Sequence, residues 1–325
     1  MTKSSISLAR LAAAFILAIS AFGSSAQQAY PGKPVRLVIP YAPGGSTSVL
    51  AMLIARQLGE AWGQQVVVDH RAGGNTTIAT DIVAKATPDG YTLLLTSNSH
   101  VVIPQLLATP FDPIKDFAPI ATVASTELVL MVNPSVPANT LQEFIALARS
   151  SPGQINYASA GSSSATHLAG ELLATMAAVK IQHVPYKGSG PAISDLVGGQ
   201  VQASFQTPIV AIPYIRNGKL KALAVTGEAR MPAAPQAPTF TEAGLPNFNA
   251  TTWFGLMAPA GTPRFIIDKV AGDMKKTLTA PEFREKLLVL GLDPFFSAPE
   301  QFDALMKSDL VRSGRLIKAS NVRLD

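Results

Sequence analysis

Three short segments combine small, hydroxyl-bearing and amide residues directly after an apolar, strand-like run. They are YAPGGSTS at 41–48, TSNSH at 96–100 and SAGSSSATH at 159–167. Where such a segment leads into a helix, its backbone N–H groups lack intrahelical partners and lie at the positive end of the helix dipole, so the turn can hold an anion. None of the three segments contains Arg or Lys. Their chemistry indicates a carboxylate or a phosphate that is bound by neutral donors.

Nucleotide-binding and catalytic sites have weaker support. The chain has no GxxxxGK[ST] P-loop, and GSGPAI at 188–193 lacks the third glycine of a dinucleotide-binding turn. A serine hydrolase would use Ser162–Ser164 with His167, but no GxSxG elbow exists, and a capping or ligand-contact role for His167 is favoured. There is no cysteine, and the four histidines lack the spacing of metal ligands. We predict no catalytic residue, no metal and no cofactor.

The N-terminus is typical of a secretory signal peptide. Lys3 and Arg10 precede the apolar run LAAAFILAISAF at 11–22, and the small residues SSA follow at 24–26. The apolar run is shorter than the roughly 20 residues that a helix needs to span a bilayer. We therefore predict cleavage near Ala26 and export of residues 27–325 to the periplasm. An uncleaved anchor helix is the alternative.

The net charge gives no indication of a nucleic-acid partner. The chain carries 26 Lys and Arg against 21 Asp and Glu, a formal charge of +5, and loss of Lys3 and Arg10 would lower this by two, to +3. The basic residues form no run that would mark a nucleic-acid surface. Without cysteine there are no disulfides, but a chain of this length can bury a large core without them.

Strand-like and helix-like segments alternate along the chain, which predicts an α/β fold with largely parallel sheets. A first series includes VRLVIP at 35–40, a helix at 46–62 and YTLLLT at 91–96. A second series begins at ELVLMV (127–132) and includes INYAS at 155–159. Ligands of open α/β sheets bind at the C-terminal ends of the strands, where the three polar turns would lie.

The length suits two domains. Strands predicted at 127–132 and 251–258 stand where the chain could cross between two lobes. The first lobe would then comprise residues 27–126 and 252–325, with the C-terminal helices returning to it, and the second lobe residues 127–251.

Seven collinear blocks resemble the solute-binding receptors of tripartite tricarboxylate transporters, the Bug or TctC family. The resemblance covers essentially all of the exported chain and implies a two-lobed periplasmic binding protein of type II, the Venus-flytrap fold. That fold has two mixed sheets flanked by helices and hinged by two crossing strands. The blocks are YPGKPVRLVIPYAPGGSTSVLA (30–51), ATPDGYTLLL (86–95), FDPIKDFAPI (111–120), GQINYASAGSSSATHLAGELL (153–173), HVPYKGSGPAISDLVGGQV (183–201), GKLKALAVTG (218–227) and WFGLMAPAGTP (253–263).

The resemblance also implies the ligand and its contacts. Ligands of the family are usually small carboxylates, which main-chain amides, hydroxyls and bridging waters hold between the lobes without an arginine clamp. First-lobe contacts fall on Tyr41, Gly44, Gly45, Ser46 and Ser48, with Asn98 and His100 behind them. Second-lobe contacts fall on Ala160, Gly161, Ser162, Ser163, Ser164 and Thr166, and the cleft is closed by the loop Tyr186–Gly190, including Gly188, and by Gln206.

At three positions the chain departs from the family pattern. The family often has Asp at the place of Ser48, Arg at the place of Met52 and Asp at the place of Gln206. Positions 48 and 52 have the i,i+4 spacing of a helical ion pair. One interpretation is therefore structural: both charged residues of a helical ion pair have been replaced together, at little cost in stability. The alternative is that a cleft without these acids has no partner for a ligand ammonium group, which favours a di- or tricarboxylate without an amine, aliphatic or aromatic, such as terephthalate.

Three functions follow in order of support. The first is a periplasmic receptor, expected to be a monomer, that delivers a small carboxylate to the large and small membrane subunits of a tripartite transporter. The second is a ligand-sensing subunit that reports to a signalling receptor. The third is the serine hydrolase.

Overall fold

The structure, a computed structural model, describes residues 30–231 and 234–319. The predicted signal peptide lies outside the described residues. The strands, in chain order, are β1 (Val35–Ile39), β2 (Val66–His70), β3 (Thr92–Ser97), β4 (Phe117–Glu127), β5 (Val129–Val132), β6 (Asn156–Ser159), β7 (Gln182–Pro185), β8 (Ala203–Gln206), β9 (Lys221–Val225), β10 (Thr251–Pro259) and β11 (Asp293–Pro294).

Helices cover both sheets that these strands form. They are α1 (Ser46–Trp62), α2 (Thr77–Ala84), α3 (Ser99–Val102), α4 (Leu141–Ser150), α5 (Ala165–Ala177), α6 (Ser189–Val197), α7 (Pro208–Arg216), α8 (Arg264–Thr279), α9 (Pro281–Val289) and α10 (Pro299–Ala319), with 3₁₀ turns at Gly74–Thr76 and Ile103–Gln105.

The strands form two mixed sheets, each with its own hydrophobic core. The six-stranded sheet has the order β11-β4-β10-β3-β1-β2, and the five-stranded sheet has the order β7-β6-β8-β5-β9. In the first sheet β10 runs antiparallel to both of its neighbours, β3 and β4, and in the second β5 runs antiparallel to β8 and β9. We call the six-stranded sheet with α1–α3 and α8–α10 the first lobe, and the five-stranded sheet with α4–α7 the second lobe.

The helix α1 shows how the sequence positions the site. Leu50, Ile54 and Leu58 recur at helical spacing and are buried in the first-lobe core. The helix ends at Gly63, whose φ of 61° lies in the left-handed region that glycine adopts without strain. Parallel strands flank β1 on both sides, so its C-terminal end and the start of α1 are fixed in the middle of the sheet edge.

The chain passes between the sheets differently from the prediction. The predicted strand at 127–132 is interrupted at Leu128, so that β4 ends in the first sheet and β5 begins in the second. The predicted strand at 251–258 corresponds to β10, all of which pairs within the first sheet, so the chain has returned to the first lobe where this strand begins. The eleven-residue strand β4 has no counterpart among the predicted strands.

Thr226 joins the two passages between the lobes. Its hydroxyl accepts a hydrogen bond from Leu128 N at 2.9 Å and donates one to Ala250 O at 2.6 Å. Its backbone N–H donates to Leu128 O at 2.9 Å. One residue thus holds the outgoing and the returning segment together.

Candidate ligand-binding cleft

The two lobes enclose a cavity of about 40 Å³ at the C-terminal ends of their strands, which we call the inner cavity. No residue that lines it carries an acidic or basic side chain. The first lobe contributes Tyr41, Gly45, Ser46, Thr47, Ser97, Thr252 and Phe254. The second lobe and the crossing segment contribute Leu128, Ala160, Ser164, Ala165, Thr166, Ser189 and Thr207.

The start of α1 faces this cavity without a side-chain cap. Its N-cap residue is Gly45, which has extended backbone angles and no side chain to accept a hydrogen bond from the first turn. The residues of that turn, Ser46 and Thr47, line the cavity. The N–H groups of a first helical turn have no intrahelical acceptor, so a bound anion would satisfy them and interact favourably with the helix dipole.

The start of α5 faces the same cavity but is capped. The Ser164 hydroxyl accepts a hydrogen bond from His167 N at 3.2 Å and lies 2.6 Å from Gly161 O, to which it donates. The Thr166 hydroxyl accepts from Ala160 N at 2.9 Å and lies 2.8 Å from the Ser164 hydroxyl. The second-lobe turn is therefore held rigidly by its own hydrogen bonds.

Two further helix starts, those of α6 and α7, reach the inner cavity. Ser189 is the first residue of α6, and Thr207 is the N-cap residue of α7. Neither helix start has a side-chain cap. The Thr207 hydroxyl is buried and has no hydrogen-bond partner among the described residues. Four helix starts from both lobes thus surround one small space.

Tyr41 forms one wall of the cleft. Its hydroxyl lies 2.8 Å from the Ser97 hydroxyl and also hydrogen-bonds the Ser99 hydroxyl, and burial raises the pKa of the Tyr41 phenol, which keeps it neutral. Its carbonyl oxygen accepts a hydrogen bond from His70 Nδ1 at 3.0 Å. These contacts fix the turn between β1 and α1.

Four of the predicted contacts lie behind the lining. Ser48 is buried beside His70, with its hydroxyl 3.5 Å from Nε2. Asn98 accepts a hydrogen bond from Thr252, which itself lines the inner cavity. Gln206 is fully buried and donates to the Ser204 hydroxyl.

His100 is the fourth of these residues, and it is buried in the first lobe. It donates from Nε2 to Pro113 O at 2.8 Å, and its ring packs against Phe111 and Phe117. Burial lowers the pKa of His100 to about 4, so the ring is neutral. This histidine supports the first-lobe core and does not line the cleft.

Glycines allow the lobes to approach closely. Ala42 N donates to Lys187 O at 2.9 Å across the cleft. A Cβ atom at Gly190 would lie only 2.3 Å from Pro43 O, and one at Gly188 would lie 3.2 Å from Ala42 N. Gly44 packs on Gly190 at the same contact. The closed arrangement therefore requires glycine at position 190.

A second space, which we call the outer cavity, has a volume of about 270 Å³. It shares Tyr41, Ala160 and Ser164 with the inner cavity, so the two are neighbours. Three other predicted contacts, Gly161, Ser163 and Tyr186, line the outer cavity instead of the inner one. The remaining residues of its lining are Pro40, Gly73, Gly74, Asn75, Thr76, Pro185 and Lys187.

Sequence reasoning missed several residues of the cleft. Ser189 lies within the predicted closing loop Tyr186–Gly190 but was not singled out as a contact. Thr207 was missed although it follows a strand and begins a helix, the criterion that selected the three polar turns. Asn75 joins the first lobe to the turn at 159–167, which we call the serine turn, because its side-chain oxygen accepts a hydrogen bond from Ser162 N at 3.4 Å. No pattern in the sequence indicated that Asn75 would lie in the cleft. The other lining residues outside the prediction are Thr47, Ser97, Leu128, Ala165, Thr252 and Phe254.

The serine turn is built for support and not for nucleophilic attack. His167 is buried, and its Nδ1 donates to Ser162 O at 2.5 Å. Its ring stacks on that of His183, with centroids 3.9 Å apart. In residues 30–231 and 234–319 no group of three or more His, Asp or Glu residues could hold a metal ion. Within the same ranges no helix has both the length and the apolar character that crossing a bilayer demands.

The chain is similar in sequence to known relatives over most of its length. The family model "tripartite tricarboxylate transporter family receptor" matches residues 50–322. A UPF0065 protein from the tcbD-tcbE intergenic region of Pseudomonas sp. strain P51 is 38% identical over 95% of this chain and 93% of that protein. BugT of Bordetella pertussis is 35% identical over 91% of each chain.

Solved structures of periplasmic binding proteins share the fold. Rpa4515 of Rhodopseudomonas palustris, solved with adipate, has a TM-score of 0.88 and 32% identity, covering 90% of this chain and 99% of that one. The periplasmic binding protein BugD has a TM-score of 0.87 and 33% identity, covering 90% and 99%. MatC of Rhodopseudomonas palustris, solved with malate, has a TM-score of 0.83 and 32% identity, covering 89% and 100%.

These similarities confirm the type II, two-lobed fold and exclude the hydrolase interpretation, since the relatives are solute-binding proteins. The chain belongs to the tripartite tricarboxylate transporter receptor (TctC) family, the Bug proteins, and is a solute-binding protein and not an enzyme.

Proposed function

We propose that the chain is a periplasmic receptor that captures a small di- or tricarboxylate without an amine and delivers it to the membrane subunits of a tripartite transporter. The observation that carries the proposal is the lining of the inner cavity. Helix starts and hydroxyls from both lobes converge there, and no acidic or basic side chain is among them. The N-terminal pattern ending near Ala26 supports export.

Neutral donors are sufficient for the affinity that a transport receptor needs. A hydrogen bond to a charged group contributes about 1.5–3 kcal/mol, and a helix end adds about 0.3–1 kcal/mol. Micromolar binding requires roughly 8 kcal/mol. Five or six donors reach this after the cost of ordering the ligand, because closure excludes water and lowers the local dielectric constant.

The absence of acidic residues supports a ligand without an amine. Neither the inner nor the outer cavity is lined by Asp or Glu. A ligand ammonium group would be buried without a counter-ion, which is costly. Ser48 and Gln206, where the family often has Asp, supply no charge behind the lining. Adipate and malate, the ligands named for two of the solved relatives, are also carboxylates without an amine.

Calorimetric titration with matched pairs of ligands tests the proposal. We expect succinate, glutarate or adipate to bind, and aspartate and glutamate, which add only an amine, to bind at least tenfold more weakly. A thermal-shift screen gives the same ranking, because a ligand that binds only the folded state raises Tm. Equal affinity for succinate and aspartate would disprove the preference for amine-free ligands. Absence of binding by every carboxylate would disprove the receptor function itself.

A further inference from the structure

The inner cavity, at about 40 Å³, is smaller than the outer cavity, at about 270 Å³. The two cavities share Tyr41, Ala160 and Ser164 in their linings. A ligand whose first carboxylate lies in the inner cavity can therefore extend into the outer one.

A third cavity, of about 370 Å³, also adjoins the inner one, with Ala165 in common. Its only basic lining residue is Arg312, which lies 2.5 Å from Asp309, a carboxylate whose side chain is 4% exposed. Asp309 also accepts a hydrogen bond from Trp253. Because the positive charge of Arg312 is already neutralised, this cavity has no free cation for a second anionic group.

Lys187 lines the outer cavity and is the one residue of that lining with a basic side chain. Its side chain is exposed, and none of the ion pairs within the described ranges includes it. Its carbonyl oxygen accepts the hydrogen bond from Ala42 N that joins the lobes. The backbone that carries the ammonium group is therefore fixed against the first lobe when the cleft is closed.

The loop opposite Lys187 has a strained backbone. Asn75 and Thr76 have φ values of 50° and 80°, in the left-handed region that non-glycine residues rarely adopt. Such strain persists where the surrounding structure requires that conformation, and it is concentrated at ligand sites. Here the Asn75 side chain reaches Ser162 N in the other lobe. The Thr76 hydroxyl is buried and has no partner among the described residues, so it can still donate.

We infer that the outer cavity is the subsite for a second anionic group, the distal carboxylate of the ligand, with Lys187 as its counter-ion and Thr76 as a hydroxyl donor. The inference depends on the proposed function, since the first carboxylate occupies the inner cavity. It narrows the ligand to molecules with two acidic ends that are separated by a short spacer.

Calorimetry on Lys187→Met tests this subsite. The probes are the dicarboxylates from succinate to pimelate and, for each, the monocarboxylate of equal length, for example hexanoate for adipate. Lys180→Met is the matched control, because Lys180 is an exposed lysine of the same lobe that lines neither cavity. We expect Lys187→Met to weaken the best dicarboxylate about tenfold, between the values for an exposed ion pair and for a charged hydrogen bond. The monocarboxylate and the control should change less than twofold.

Thr76→Val, which keeps the side-chain shape, should also weaken the dicarboxylate and leave the monocarboxylate unchanged. Equal effects of Lys187→Met on both ligands would overturn the inference, since the lysine would then act on closure. The inference would also be overturned if Lys187→Met and Lys180→Met changed the affinity for the dicarboxylate by the same factor. The wild-type titrations keep the two proposals apart. If no carboxylate of either series binds, the receptor function fails, whereas binding of dicarboxylates that is insensitive to Lys187 removes only the subsite.

Discussion

The two helix starts that face each other across the inner cavity differ in how they are satisfied. In the first lobe α1 starts at Gly45 with no side-chain cap. In the second lobe the Ser164 hydroxyl caps α5 and takes part in a network with Thr166. The start of α1 therefore presents backbone donors that a ligand can satisfy, and the start of α5 is a turn that is already ordered before the ligand arrives. Substitutions at the cap of α5 should affect both folding and binding, whereas those in the first turn of α1 should affect binding alone.

The largest effect is expected from a negative charge at position 164. Asp keeps the N-cap acceptor for His167 N but cannot donate to Gly161 O as the Ser164 hydroxyl does, so the folding of Ser164→Asp is first checked by circular dichroism and urea unfolding. Its carboxylate would face the bound carboxylate, and two like charges about 4 Å apart repel by about 4 kcal/mol at an effective dielectric constant of 20. We expect binding to be lost in calorimetry. The neutral isostere Ser164→Asn is the control, and a Ser164→Asp protein that keeps wild-type affinity would refute the site.

The next largest loss of affinity is expected from a substitution that prevents the two lobes from closing. In Gly190→Ala the new Cβ would lie 2.3 Å from Pro43 O, a backbone atom that cannot move aside cheaply. The lobes are then held apart, and we expect a loss of affinity of about 100-fold, or about 2.7 kcal/mol. Small-angle scattering with saturating ligand should show the open radius of gyration. Gly198→Ala, whose Cβ would meet Ser194 O at an ordinary 3.4 Å, should close and bind as wild type.

A smaller effect, on the free energy of unfolding, is expected when the starts of α1 and α5 are compared directly. Ser164→Ala removes the cap of α5 and should lower the free energy of unfolding by about 1 kcal/mol. Ser46→Ala removes a hydroxyl from the uncapped start of α1 and should change it by less than about 0.5 kcal/mol. Urea unfolding without ligand measures both. Equal losses in the two variants would show that the contrast between the helix starts has no energetic consequence.

The smallest effect is on the pH dependence of stability, through His183, which contacts the serine turn. The His183 ring lies 2.6 Å from the Ser159 hydroxyl, and burial, together with the neighbouring His167, lowers the pKa of His183 to about 3. The unfolded chain therefore binds the proton more tightly, and the stability that the neutral ring contributes is present above about pH 6.5 and is lost as the pH falls towards 3. We expect the free energy of unfolding to fall by about 0.7 kcal/mol more between pH 7 and 6 in wild type than in His183→Gln.

The control for that measurement is Ser46→Ala in the other lobe, which should keep the wild-type dependence on pH. A His183→Gln protein with the same dependence would show that another group is responsible.

Local pattern was enough to find the central features of the cleft. The polar turns at 41–48 and 159–167 were predicted because strand, polar turn and helix follow each other in the sequence, and the structure places both turns at one cavity. The same rule would have found Thr207, and Ser189 lies within the predicted closing loop Tyr186–Gly190. The choice of Gln206 instead of Thr207 missed by one residue, because strand alternation turns Gln206 into the sheet interior and leaves the following residue at the cavity.

Other features depend on contacts between distant segments. Whether His100 faces ligand or core is decided by Phe111 and Phe117, which no local pattern connects to it. The contact of Asn75 with the serine turn exists only when the lobes are closed. The strand β4 escaped prediction because Pro119 and its alternating small and polar residues weaken the apolar pattern of an eleven-residue strand.

Thr226 has a consequence for how the receptor moves. Since this threonine bonds both inter-lobe segments, we expect the lobes to close by rotation about the point where these segments meet. Displacement grows with distance from a pivot, so the rim that carries Gly190 and Lys187 travels farthest while the buried floor near Leu128 barely shifts. We therefore expect the Thr226 hydroxyl, although it does not line the inner cavity, to influence how the two lobes close on a ligand.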